Sequence, residues 1–167
     1  DEFLRRECQG IGIQLPPSGS YGVGMVFLPR HREVRSRLEG TVETLIEEEG
    51  QSLIGWRDVP VDNQVIGSLA RESEPVIRQV FIEKNPTLRS DADFERKLYV
   101  VRKRIERELD SQSLEGVETF YVVSLSASTI IYKGLLTANQ IPAYYLDLAD
   151  PALKSALALV HSRFSTN

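Results

Sequence analysis

The sequence predicts one α/β or α+β domain whose sheet contains antiparallel strands. Two stretches, residues 32–49 and 90–109, repeat apolar side chains at helical spacing. Several short runs rich in Val, Ile, Phe and Tyr read as strands. Two of these, 119–125 and 129–133, are separated by Ser126, Ala127 and Ser128 in the manner of a hairpin, which argues against a purely parallel sheet. The length of 167 residues fits one domain. A 41% apolar share supports a core, and 26% charged residues argue against disorder.

Residues 3–9 open the chain as a short helix, with Leu4, Cys8 and Ile11 at spacings of four and three and Gly10 as a stop. Residues 14–20, carrying Pro16, Pro17 and Gly19, form a loop. Residues 21–28 follow as a strand whose Gly22 and Gly24 share one face, so something packs close there. Residues 32–49 place Val34, Leu38, Val42, Leu45 and Ile46 on one helical face, with Gly50 as the C-terminal cap. Residues 52–57 are a strand, and 58–63 are irregular. The strands at 21–28 and 52–57 flank a helix, as a crossover requires.

After Pro75, the β-branched run 76–82 reads as a strand. Ser90 and Asp93 have capping-box spacing, and Phe94, Leu98, Val101, Ile105 and Leu109 then repeat at four, three, four and four. The Lys and Arg residues of that helix alternate with Glu95, Glu106 and Glu108, which describes a solvated face rather than a basic patch. Asp150-Pro151 suits a helix start running to residue 159; the alternative is one turn and a strand over 155–160. The pattern leaves both open.

Composition narrows the function classes. Twenty basic against twenty-four acidic residues give a net charge of −4, which weighs against a nucleic-acid binder. One Cys and two His cannot build a closed zinc site, an iron–sulfur site or an internal disulfide. No apolar run approaches the roughly 18 residues of a membrane span, and nothing resembles a signal peptide. These features predict a soluble, intracellular chain without nucleic-acid or membrane partners. The absence of an initiator Met and the stop at Asn167 after an apolar run predict a segment of a longer protein.

Candidate chemistry is sparse. Gly22-Val23-Gly24 lies inside a strand and is no phosphate loop. Cys8 reads as a small buried hydrophobe and His31 as solvent-exposed. Asp147 and Asp150 read as turn and cap residues. The ending, residues 155–167 (SALALVHSRFSTN), differs: an apolar run delivers Arg163 among hydroxyl residues and an aromatic. A guanidinium fork with a neighbouring hydroxyl is a carboxylate receptor. Taken alone, Arg163 reads first as a surface residue in a loop and only second as such a receptor.

That ending resembles the glutamine-binding strand of the class II glutamine amidotransferases, and within them the glutamate synthase branch. Residues 21–29 (YGVGMVFLP), 55–62 (GWRDVPVD), 73–81 (SEPVIRQVF), 94–105 (FERKLYVVRKRI), and 124–126 (SLS) with 132–134 (YKG) agree in the same order. The resemblance implies an α+β fold, the four-layer αββα sandwich of N-terminal-nucleophile hydrolases. It implies that residues 1–167 are part of one such domain, without the nucleophile strand and the C-terminal portion. An N-terminal Cys would attack the glutamine amide and release ammonia, while FMN and a 3Fe–4S cluster elsewhere in the parent protein would serve glutamate synthesis. It assigns Arg163 to the glutamine α-carboxylate, Thr166 to the same end of the substrate, Phe164 to the pocket wall, and residues 155–163 to a strand. Asn167 stands where related amidotransferases have His, as is usual in the glutamate synthase branch. Cys8 does not match the nucleophile motif, so no catalytic residue is assigned here. The implied partners are glutamine, the remainder of the parent chain, and an electron-transfer subunit or ferredoxin. The implied compartment is the cytoplasm, or the plastid in a photosynthetic eukaryote. A different class of function stays open beside this: an amidotransferase-like domain that binds glutamine or a protein partner without hydrolysis.

Overall fold

The structure is a computed structural model that describes residues 1–110 and 116–161. Its main elements are α1 (Glu2–Gly10), β1 (Tyr21–Leu28), α2 (Arg32–Glu48), β2 (Ser52–Asp58), α3 (Ser68–Ser73), β3 (Val76–Glu83), α4 (Asp91–Asp110), β4 (Tyr121–Ser126) and α5 (Gln140–Tyr144). Short 3-10 turns lie at Asn63–Val65, Val117–Thr119 and Leu146–Ala149. The fold is α+β: one four-stranded sheet in the order β2-β3-β1-β4, flanked by helices.

Every pairing in the sheet is antiparallel. β1 and β3 share the whole register from Tyr21 opposite Glu83 to Leu28 opposite Val76. Because β3 is antiparallel to both β1 and β2, those two strands run in the same direction with β3 slotted between them. The crossover expected over α2 therefore exists as a split β-α-β unit. β3, α4 and β4 form a second, with β1 slotted between its strands.

The pleat sends Val26, Leu28, Val80 and Ile82 toward α2 and α4, where Leu38, Val42, Ile46, Phe94, Leu98, Val101 and Ile105 complete the larger core. Leu98 of α4 packs directly on Gly22: a Cβ there would stand 2.6 Å from Leu98 Cδ1. The opposite face carries Tyr21, Val23, Met25, Ile77 and Phe81. It is covered by α1, by Tyr144 and Tyr145, and by irregular chain around Ile130, Ala152 and Leu153. A second sheet is not among the described residues.

The helix ends follow the sequence signals. Gly50 has φ +72°, and the amides of Gly50 and Gln51 donate to the carbonyls of Glu47 and Ile46, a Schellman closure. Ser90 Oγ accepts from the Asp93 amide while Asp93 Oδ2 accepts from the Ser90 amide, both at 3.1 Å. On α4, Lys97 and Arg104 pair with Glu49, and Arg102 and Lys103 pair with Glu106. The charged face is solvated and internally paired.

Two expectations fail. Residues 129–133 are not a strand, and β4 pairs with β1 instead of forming a hairpin with them. Ser126 Oγ accepts from the amides of Ser128 and Thr129, and Glu95 Oε1 accepts from the amide of Ala127. These side chains occupy the turn amides and send the chain across the open face of the sheet. Residues 155–161 are neither the helix nor the strand expected there. After Asp150-Pro151 only one turn forms, and Leu157, Leu159 and Val160 are 77%, 91% and 82% exposed. A strand needs a paired edge, and among the described residues none pairs with this run. The short α3 and α5 carry no period long enough to read.

Candidate functional site

Arg163, Phe164 and Thr166, the residues singled out from the sequence, lie outside the described residues. What the described residues bring together is a buried polar junction on the second face of the sheet. β2 supplies Arg57, 4% exposed, and the turn Leu146–Ala149 supplies Asp147, 2% exposed. Arg57 Nη2 donates to Asp147 Oδ1 at 2.7 Å, and Nη1 donates to Asp147 Oδ2 at 2.9 Å. This is the bidentate fork. Nη1 also donates to Gln79 Oε1 on β3 at 3.0 Å, and Nη2 to Glu7 Oε2 on α1 at 3.2 Å. The Tyr132 hydroxyl donates to Asp147 Oδ2 at 2.9 Å. The guanidinium lies 5.5 Å from the Phe3 ring centroid.

Burial acts against the charge of Arg57, but the hydrogen bonds and charge of Asp147, then of Glu7, outweigh it and raise its pKa. Glu7 is lowered by its hydrogen bond from Arg6, against burial, and further by Arg57. Burial, then the Asp147 charge, pushes the Tyr132 phenol above its ordinary value. Both Asp147 oxygens are occupied, so the junction is a clamp and not an acid–base pair.

A second junction lies further along the same side. Glu74 accepts from the Tyr144 hydroxyl at 2.7 Å, from Asn63 Nδ2 at 3.2 Å and from Arg30 Nη2 at 3.1 Å. It fixes the loop between β2 and β3 against α5.

Of the remaining candidates, Cys8, His31 and Asp150 behave as the sequence predicts and Asp147 does not. Cys8 is fully buried among Phe3, Leu4 and Phe81, and burial pushes its thiol up to about 11 despite the opposing charge of Arg57. Such a thiol is not a nucleophile at neutral pH. A thiol-reactive disulfide reagent at pH 8 is expected to label Cys8 only as fast as the domain opens, with full labelling in denaturant. Immediate labelling of the folded protein would contradict this. His31 is exposed at the start of α2. Asp150 caps a turn through the Ala152 amide and pairs with Arg6 at 2.6 Å. Asp147, read from the sequence as a turn residue, is the buried anion of the Arg57 junction.

The family Glutamine amidotransferases class-II matches residues 1–167. The chain belongs to that family. Among its relatives, the glutamate synthase [NADPH] large chain of Bacillus subtilis is 50% identical over 167 residues, covering 100% of this chain and 11% of that protein. The glutamate synthase [NADPH] large chain of Azospirillum brasilense is 40% identical over 167 residues, covering 99% of this chain and 11% of that protein. The ferredoxin-dependent glutamate synthase 1, chloroplastic/mitochondrial, of Arabidopsis thaliana is 42% identical over 146 residues, covering 87% of this chain and 9% of that protein. This amidotransferase segment is thus homologous to glutamate synthase large chains along its whole length and spans about a tenth of theirs.

Sequence reasoning missed Arg57 because a lone Arg in a short strand looks like a surface residue. The usable signal is its place in β2, which has a register shift between Leu53 and Gly55. That shift hides the period-two alternation that would have turned Arg57 inward.

Proposed function

We propose that residues 1–167 are part of the glutamine-hydrolysing domain of a glutamate synthase, which makes glutamate from glutamine and 2-oxoglutarate. The observation that carries this reading is 50% identity to a glutamate synthase large chain with no part of this chain left uncovered. In this reading Arg163 holds the glutamine α-carboxylate with two parallel charge-assisted hydrogen bonds, Thr166 adds a hydroxyl at the same end, and Phe164 walls the pocket. The nucleophilic Cys and the Asn-Gly of the oxyanion hole belong to other parts of the parent chain. The four-layer αββα sandwich is proposed for the domain as a whole, with this sheet and its helices one part of it. The compartment proposed is the cytoplasm, or the plastid in a photosynthetic eukaryote. No described helix is long and apolar enough to cross a membrane.

The described residues do not fit an iron–sulfur cluster. Among the described residues no cluster of three or more His, Cys, Asp or Glu is placed to hold a metal ion, and the single Cys cannot supply the thiolates of an iron–sulfur cluster. The 3Fe–4S cluster is proposed for the remainder of the parent protein, and FMN and the contacts to a ferredoxin or electron-transfer subunit are proposed there too, on homology to glutamate synthases. The relatives include both NADPH- and ferredoxin-dependent forms, so the match to this segment does not select the donor.

Ammonia release from glutamine tests the proposal. The intact parent protein is expected to release it, with Cys8→Ala leaving the rate within about twofold because that thiol is buried and protonated. The 167-residue segment alone is expected to release none. A parent protein that binds glutamine without hydrolysing it would overturn the reading.

A further inference from the structure

β2 is the end strand of the sheet, and its outer edge is only partly used. The Val59 amide donates to the carbonyl of Ile77 on β3 at 2.9 Å. With Arg57 opposite Gln79 and Asp58 opposite Arg78, residues 55, 57 and 59 therefore turn their backbone groups toward β3. Trp56, Asp58, Pro60 and Asp62 turn theirs the other way. At Pro60 and Asp62 that outer side is taken. The Leu146 amide donates to the Pro60 carbonyl at 3.2 Å, and the Asp62 amide to the Tyr144 carbonyl at 2.8 Å. The chain then leaves the edge through the turn Leu146–Ala149, whose Asp147 folds onto Arg57. Trp56 and Asp58 keep no backbone partner on that side among the described residues.

A groove of about 440 Å³ opens along this stretch, lined by Ile11 and Ile13 on the α1 side and by Trp56, Asp58 and Arg78 on the α2 side. The two sides differ in chemistry. Toward α1 the groove is aliphatic: Ile11 is exposed and Ile13 sits on Gly55. Toward α2, Glu39 and Asp58 hold Arg78, and Glu43 accepts from the indole of the half-buried Trp56 at 2.8 Å. Three carboxylates there face one guanidinium. The bulge between Leu53 and Gly55 and the missing N–H of Pro60 blunt the edge on either side, and Trp56–Asp58 lies open between them.

We propose that this edge receives an extended segment of the parent chain as a further strand beside β2. Its side chains alternate between the two faces, aliphatic toward Ile11 and Ile13 and cationic toward Glu43 and Asp58. A second copy of β2 does not suit the site, because it would bring its own Glu43 and Asp58 against the same carboxylates. The length for such a segment exists in the relatives, since this chain spans 11% of the Bacillus subtilis large chain. A strand from the same polypeptide also arrives at high effective concentration, which suits so short an edge. The inference takes from the proposed function only the longer parent chain, and none of the groups that act on glutamine.

Site-resolved amide hydrogen exchange on the intact parent protein tests it. The Trp56 and Asp58 amides are expected to exchange about a hundredfold or more slower than in an unstructured chain, as do those of Arg57 and Val59, which face β3. Exchange of Trp56 and Asp58 within about tenfold of the unstructured rate, with Arg57 and Val59 protected, overturns the proposal. Protection that disappears on dilution to the monomer, or on removal of a separate subunit, assigns the edge to that partner and overturns the choice of the parent's own chain. Glu43→Gln keeps an acceptor for the Trp56 indole and removes the charge. It is expected to speed exchange at Trp56 and Asp58 about threefold or more while Arg57 and Val59 stay as they were. No change there overturns the cationic face of the incoming strand. Ammonia release from glutamine, measured on the same sample, is read separately. Protected amides without hydrolysis leave this inference standing and remove the proposed function, and hydrolysis with unprotected amides does the reverse.

Discussion

Arg57→Met is expected to destabilise the domain by about 3–5 kcal/mol, the scale of breaking a buried ion pair from one side. The substitution keeps much of the volume and removes the charge. Asp147, 2% exposed, would be left with the Tyr132 hydroxyl as its remaining partner in the junction, and Gln79 Oε1 would lose its donor. An uncompensated carboxylate in that environment costs far more than the pair contributes when intact. For a domain of this size the loss corresponds to a melting temperature lower by roughly 6–20 °C. Removing Arg102, which pairs with Glu106 one helical turn away on a half-exposed face, is expected to cost no more than about 0.5 kcal/mol. Urea unfolding of both variants makes the comparison. A loss under about 1 kcal/mol for Arg57→Met would show that the Arg57–Asp147 pair does not behave as a buried ion pair.

Leu98→Ala is expected to cost about 2–5 kcal/mol. Leu98 is fully buried, and its side chain rests on Gly22 of β1. Truncation opens a cavity between α4 and β1 that the paired strands cannot close by collapse. Gly22→Ala attacks the same contact from the other side, since its Cβ would stand 2.6 Å from Leu98 Cδ1, and overpacking of this kind costs about 1–3 kcal/mol. The two defects fill each other. The double variant is expected to be more stable than the sum of the single losses by about 0.5–3 kcal/mol. Strict additivity in urea unfolding would mean that the helix does not rest on Gly22.

Much of this layer was legible in the residues. Periods of three and four located α2 and α4, Ser90 and Asp93 located the start of α4, Gly50 located the end of α2, and the paired glycines of β1 announced the close approach that Leu98 makes. These signals are local or repeat with a fixed period. The second face was not legible, because it is built from single long-range contacts without a period. Asp147 finds Arg57 across 90 positions, and Tyr144 finds Glu74 across 70. The failed hairpin at 129–133 shows the same limit. Its β-branched residues obeyed a tertiary preference for the open face of the sheet, set by Ser126 and Glu95. For the candidate site, residue types alone left Arg163, which lies outside the described residues, open between a surface residue and a carboxylate receptor. Its assignment to glutamine is a proposal that rests on family membership.

The most direct test of the central proposal compares glutamine-dependent and ammonia-dependent glutamate synthesis by the intact parent protein, with and without Arg163→Lys. Lysine keeps the charge and loses the fork. Glutamine kcat/KM is expected to fall roughly ten- to a hundredfold, which corresponds to about 1.5–3 kcal/mol for a hydrogen bond to a charged group. Ammonia has no carboxylate, so the reaction with free ammonia is expected to continue at nearly its original rate. Equal loss of both activities would contradict the account, because it would make Arg163 a residue that supports the fold and not the one that holds glutamine.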